Sequence, residues 1–384
     1  MANEIENFLP DQYDQTDRCD ISHNYLKEQF SDYQKILDKV GEVVQKGDFT
    51  LGRAVDAFEA RFAKQAGAKF AVGVGSGTDA LFLSLKAIGV GPGDEVITTP
   101  FTFYATIGAI VTAGAKPVFV DARNDYNIDP ELIEIAITKN TKAILPVHWS
   151  GKPCDMDPIQ QIAKDNELHI VEDACHAITA QYKGRPAGTY GTAGCFSMHP
   201  LKNLNVWGDG GVICTNDEDF ANKIRLLRNH GLRDRDHCDV FAYNSRLDTV
   251  QAVVADHLLD KLPDITDKRI SNALYLDKHL TGIDGVMIPP READHIRQVY
   301  HIYSLRFARR DELQAYLESR GIDAKVHYPI PMHLQPAAKE YGYKAGDFPM
   351  AEAICNSTLS LPVHEFITND QLDQMIAAIK EFYS

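Results

Sequence analysis

The chain of 384 residues has no C-x-x-C pair and no G-K-[ST] triplet, only two tryptophans, and fewer basic than acidic residues. Its seven cysteines stand at 19, 154, 175, 195, 214, 238 and 355, an odd and scattered set. Such spacing supports neither a disulfide framework nor a structural zinc site, and no metal is expected. With 39 Lys and Arg against 54 Asp and Glu, the formal charge is −15, which disfavours binding to a nucleic-acid backbone. A local anion site needs only local geometry and can coexist with that charge. The longest uncharged run, Val96 to Ala115, is interrupted by Pro100 and five threonines, so a membrane span is not expected. The opening Met1-Ala2-Asn3-Glu4-Ile5-Glu6 is acidic and carries no basic segment followed by an apolar one, so cytoplasmic residence is the expectation.

What is present is an ordinary globular composition, 44% hydrophobic and 24% charged, enough for a large core and two or three domains. Seven short apolar runs alternate with helix-length segments: 69–73, 95–98, 116–120, 141–147, 169–171, 194–197 and 211–215. That pattern predicts an α/β fold, a mostly parallel seven-stranded sheet sandwiched by helices, with ligands at the carboxyl ends of the strands. The spacing of Tyr25, Leu26, Phe30, Tyr33, Ile36, Leu37, Val40 and Val43 predicts an amphipathic helix over 24–44. Further helices are expected over 220–229, 248–261 (ended by Pro263), 268–279, 311–320 and 369–383, with strands over 302–307 and 325–326. The division that follows is an N-terminal helical segment at 1–50, a large domain at 51–264 and a smaller α+β domain at 265–384.

Two residues suggest chemistry. Lys202 follows the sixth apolar run in Ser197-Met198-His199-Pro200-Leu201-Lys202-Asn203, and Asp173 ends the fifth in Val171-Glu172-Asp173-Ala174. Alone, a lysine is more often a solvated charge and a strand-end aspartate a turn cap. Together they match what pyridoxal phosphate (PLP) requires, an amine to hold its aldehyde and a carboxylate to keep its pyridine nitrogen protonated. The first run leads into Gly73-Val74-Gly75-Ser76-Gly77-Thr78-Asp79 and then a helix, a glycine-rich turn where free amides and the helix dipole suit a phosphate. A dinucleotide fingerprint would need glycine where Thr78 stands, and a plain helix cap by Thr78 or Asp79 is the bland alternative.

These motifs, with Pro100-Phe101-Thr102-Phe103, Gly208 to Gly211, Asn244-Ser245-Arg246-Leu247-Asp248 and Val326-His327-Tyr328-Pro329, resemble the DegT/DnrJ/StrS sugar aminotransferases, PLP transferases of fold type I in the aspartate aminotransferase superfamily. The resemblance runs nearly the whole chain. It implies that Lys202 holds PLP as a Schiff base and shuttles a proton, and that Asp173 pairs with the pyridine nitrogen. Gly77, Thr78 and Ser197 would hold the phosphate, Asn244 would reach it from the other subunit of a homodimer with shared sites, and Phe103 would stack on the ring. His176 would pack against that ring or bond its phenolic oxygen. Trp207 would shape the acceptor pocket beside Asp209, while His327, Tyr328 and His333 would line the substrate side. Each of these has a structural alternative: Asn244 as a turn residue, Phe103 and Trp207 as core, the histidines as packed groups. The same choice stands for His148 and Trp149.

The resemblance also implies L-glutamate as donor in a ping-pong transfer to a keto or aldehydo sugar for surface polysaccharide or lipopolysaccharide. Acceptors in such enzymes are nucleotide-linked keto sugars or free sugars, among them an 8-oxo-3-deoxy-octulosonate. No residue identifies a donor-carboxylate site; Arg246 is a candidate, and Lys325 and Arg306 are others for an acidic acceptor. A PLP sugar dehydratase would carry histidine in place of Lys202, a non-catalytic regulator would not need Lys202, Asp173 and Ser197, and an NAD-dependent oxidoreductase would need the glycine missing at position 78.

Overall fold

In the computed structural model, residues 19–291 and 295–384 are described. Residues 1–18 of the expected N-terminal segment, including the acidic opening, lie outside them. The seven apolar runs form β1 (Phe70–Val74), β2 (Glu95–Thr98), β3 (Lys116–Phe119), β4 (Thr141–Ile144), β5 (His169–Asp173), β6 (Ala193–Ser197) and β7 (Gly211–Thr215). They build one sheet in the order β1-β7-β6-β5-β4-β2-β3. β7 runs antiparallel to both its neighbours, and the other pairs are parallel.

The strands read as continuous apolar runs because both faces are covered. Phe196, Val212 and Cys214 join one core cluster with Phe58 and Phe62, while their alternates Cys195 and Ile213 join another with Leu81, Leu83 and Ile110. The helices concerned are α1 (Tyr33–Lys46), α2 (Arg53–Ala66), α3 (Gly77–Ala87) and α4 (Tyr104–Thr112). Alternation of side chains across a pleat sends neighbouring residues to opposite layers.

Three expectations are corrected. The helix over 24–44 is two pieces, Leu26–Gln29 and α1, so that Tyr25 and Gln29 turn inward to the body of the protein. Pro263 opens a helix: Leu262–Leu280 begins one residue before it, at a first turn where a missing N–H costs nothing. Residues 325–326 make only an isolated bridge from Lys325 to Ser360. The small sheet consists instead of β8 (Val286–Met287), β9 (Tyr303–Phe307) and β10 (Thr358–Leu361), antiparallel throughout. No helix among the described residues is long and apolar enough to cross a membrane.

Candidate active site

A cavity of about 370 Å³ opens at the carboxyl ends of β1, β2, β5 and β6, between the sheet, the N-terminal segment and the strand-and-loop elements after 300. Its lining includes Gly77, Thr78, Phe103, Asp173, His176, Ser197, Lys202, His327 and Tyr328, all named from the sequence.

Asp173 is the last residue of β5, and its side chain is 6% exposed. Its Oδ2 accepts from Thr106 Oγ1 at 2.8 Å and its Oδ1 from the Cys175 amide at 3.2 Å. The single Thr106 proton is spent on the carboxylate, so the 2.7 Å contact between Thr102 and Thr106 hydroxyls is a donation from Thr102. Two threonines of α4 and the turn before it thereby hold the carboxylate that faces the cavity.

Lys202 lies in the loop after β6. Burial lowers its amine below the ordinary lysine value, against the opposing pull of Cys175 and Asp173. Its backbone is fixed from the N-terminal segment: the Tyr25 hydroxyl donates to the Leu201 carbonyl at 3.1 Å and lies 3.4 Å from that of Lys202. Leu201 holds a left-handed φ of 71°, a conformation a branched residue keeps only when its surroundings impose it. Asn205 adds a bond to the Lys202 carbonyl at 2.9 Å and takes Gln29 as a second partner.

At the start of α3, Ser76 caps the helix by accepting from the Asp79 amide at 3.0 Å. The amides of Gly77 and Thr78 are thus presented beside Ser197. Gly77 is required by that approach, since a Cβ there would stand 2.6 Å from Ser197 Cβ. Free amides, a hydroxyl and a helix N-terminus make a fitting seat for a phosphate, with Lys202 and Asp173 across the same cavity. Phe103 is half exposed over the cavity, its ring 5.8 Å from that of Tyr328.

Three residues expected in this cavity stand elsewhere, as does Asn244, which was expected to reach the cavity of a second subunit. Trp207 packs edge-on against Phe30 at 5.6 Å and ties its backbone to Gln251, so it seals the loop against the helical layer and does not line the cavity. Arg246 donates to Asn229 at 3.0 Å, away from the lining. His333 is buried against Phe119 and Phe348 with Glu352 as partner at 3.1 Å. Asn244 is exposed beside Tyr243, outside this cavity. His148 and Trp149 are structural. His148 Nε2 meets Glu172 at 2.9 Å, and Glu172 also accepts from the amides of Gly188, Tyr190 and Gly191, while Trp149 is buried against Phe101.

Sequence reasoning missed His23, Tyr25, Thr106, Cys175, Arg269, His301 and His364 in the lining. Burial, then the nearby Lys202 charge, holds the rings of His176 and His301 well below the ordinary histidine range. His327 is pushed down to about 3, chiefly by burial. Cys175 is held as a thiol, its value raised well above ordinary by burial and by Asp173. The one usable signal was the spacing Thr102-x-x-x-Thr106, which places both hydroxyls on one side of a helix start.

Comparison with known proteins agrees with this geometry. The model of the DegT/DnrJ/EryC1/StrS aminotransferase family matches residues 31–380. A "pleiotropic regulatory protein" of Geobacillus stearothermophilus is 43% identical over 93% of the chain and 97% of its own length. The dTDP-3-amino-3,4,6-trideoxy-alpha-D-glucose transaminase of Streptomyces venezuelae is 40% identical over 89% of the chain and 90% of its own length. A solved structure of DesV from S. venezuelae in complex with a ketimine intermediate superposes with a TM-score of 0.92 at 38% identity, covering 95% of this chain and 98% of that one.

Proposed function

The chain belongs to the DegT/DnrJ/EryC1/StrS aminotransferase family, and we propose that it moves the amino group of L-glutamate to a keto sugar carried on a nucleotide. It is a PLP-dependent sugar aminotransferase. The observation that carries the reading is that Lys202 and Asp173, 29 residues apart in sequence, face one cavity, the carboxylate held by Thr106 and the lysine backbone by Tyr25.

Bound here, PLP supplies an aldehyde that captures amines reversibly and a protonated ring that withdraws electrons from the carbon losing its proton. Asp173 would hold the ring proton in place, its carboxylate buried and aimed by Thr106 and the Cys175 amide. Lys202 Nζ attaches the cofactor and, when free, moves a proton; a lowered affinity for protons suits it to that task. Gly77, Thr78 and Ser197 hold the phosphate. Phe103, His176 and Tyr328 confine the ring and exclude water. Asn244 reaches the phosphate of a second subunit, so the working unit is a homodimer.

Relatives named as transaminases of dTDP- and UDP-linked sugars support a nucleotide-linked acceptor. Lys325 in the cavity lining supports an anionic one, a property shared by nucleotide diphosphates and by an 8-oxo-3-deoxy-octulosonate. The purified protein is expected to be yellow and to bleach in the visible when L-glutamate is added. A panel of dTDP- and UDP-linked keto sugars and the oxidised octulosonate, read by 2-oxoglutarate release and product mass, tests both substrates. A yellow protein indifferent to glutamate would overturn the donor, and turnover of the octulosonate alone would overturn the nucleotide-linked acceptor.

A further inference from the structure

His301 lies outside every motif that marks the site in sequence, yet its Nε2 stands 3.5 Å from Lys202 Nζ. Among the described residues it supplies the one side-chain atom in hydrogen-bond reach of that amine. The other groups around Nζ are committed. Asp173 is taken by Thr106 and the Cys175 amide, and Cys175 itself is a thiol. His176 Nδ1 accepts from the Ser150 amide at 3.3 Å, and His327 Nδ1 meets Ser360 Oγ at 3.0 Å.

The ring of His301 is positioned from several sides. Its amide donates to the Ser150 carbonyl at 3.0 Å, and its carbonyl lies 3.4 Å from Arg269 Nη1. Its ring lies tilted against that of His176, with centroids 4.4 Å apart. Nδ1 has no partner and is buried, so Nε2 is the nitrogen through which this ring acts. Burial beside Lys202, His176, His327 and Arg269 keeps the ring uncharged, which leaves a lone pair free on Nε2 when the ring proton resides on Nδ1.

We propose that His301 is a positioning residue for the catalytic lysine: its Nε2 accepts a hydrogen bond from Lys202 Nζ whenever that amine is free, aiming the remaining proton and the lone pair of the neutral Nζ into the cavity. The proposal rests on the aminotransferase reading for its consequence, since proton movement at Nζ is what alignment serves. Loss of the contact slows that movement, because small misplacements of a reacting group cost large factors in rate. An acceptor also stabilises the charged form of the amine, so its removal makes Lys202 easier to deprotonate.

The test uses the full-length chain with His301→Leu, His301→Asn and His301→Gln. Leucine lacks a polar atom, asparagine is too short to reach Nζ, and glutamine places an amide oxygen near the position of Nε2. In the cofactor-free chain, brief acetylation across a pH series, read at Lys202 by peptide mass spectrometry, gives the amine's titration midpoint without reference to activity. The midpoint is expected to fall in the leucine and asparagine variants and return toward wild type with glutamine. In the loaded enzyme, kcat is expected to fall about tenfold to a hundredfold with the donor KM unchanged, and glutamine is expected to recover most of it. Should the leucine variant not fold, asparagine against glutamine carries the comparison. A midpoint unmoved by leucine or asparagine, or glutamine no better than asparagine, overturns the proposal. A chain that transaminates nothing would sink the functional reading while the labelling midpoints still decide the contact.

Discussion

Thr106 donates a 2.8 Å hydrogen bond to Oδ2 of Asp173, the carboxylate we propose faces the cofactor ring. A hydrogen bond to a charged group contributes about 1.5 to 3 kcal/mol, and this one also fixes direction. Thr106→Val keeps the shape of the side chain and removes the donor. Turnover is expected to drop about tenfold or more, and folding stability by about 1 to 3 kcal/mol because a buried acceptor loses its donor, as measured by steady-state kinetics beside a denaturant titration.

Glu172 is adjacent in sequence and opposite in role. It is fully buried, accepts from three backbone amides and meets His148, so it ties β5 to the turn at 188–191. Glu172→Ala leaves those donors without partners and is expected to cost about 3 kcal/mol or more of stability. Urea unfolding measures it. A loss below 1 kcal/mol would sink the structural assignment.

Acid should unfold this protein through its histidines. His176, His301, His327 and His364 all have lowered values, the last two at about 3, in each case chiefly through burial. A histidine with a depressed folded value adds nothing above its unfolded value near 6.5, and below it the unfolded chain binds the proton first. Stability is then expected to fall as pH drops from about 6.5 toward 3, each such ring contributing about 1.4 kcal/mol per pH unit. Urea midpoints at pH 7.5 and pH 5 check the sign.

Asn244 is exposed and outside the cavity of its own chain, as a residue serving a neighbouring subunit requires. Lys202→Ala and Asn244→Ala homodimers are each expected to be inactive or nearly so. Mixed heterodimers would contain one site with both defects and one with neither, so activity should rise on subunit exchange. Confirmed heterodimers with no recovery would rule against a shared site.

The seven strands were legible because both faces of the sheet are buried, which writes each strand as an unbroken apolar run. Thr358–Leu361 was not, because its alternating polar residues Thr358 and Ser360 are fully buried and bonded within the small domain, and such burial leaves no mark on local periodicity. Asp173, Gly77 and Ser197 were legible because each sits at a strand end or helix start, and Lys202 because its loop follows directly from such a strand. Trp207, Arg246 and His333 looked equally apt by proximity to those motifs, but their side chains turn to Phe30, Asn229 and Glu352.

The amino-acid order alone determined the alternating layers, the glycine-rich turn before α3 and the two residues, Lys202 and Asp173, that match what PLP requires, since each is set by the few residues around it in the chain. Folding decided what surrounds that pair. Tyr25 reaches Leu201 across 176 residues and His301 reaches Lys202 across 99, contacts that exist only when the N-terminal segment and the elements after 262 close over the sheet. No local pattern encodes such meetings, because they are selected by packing and burial of the whole chain.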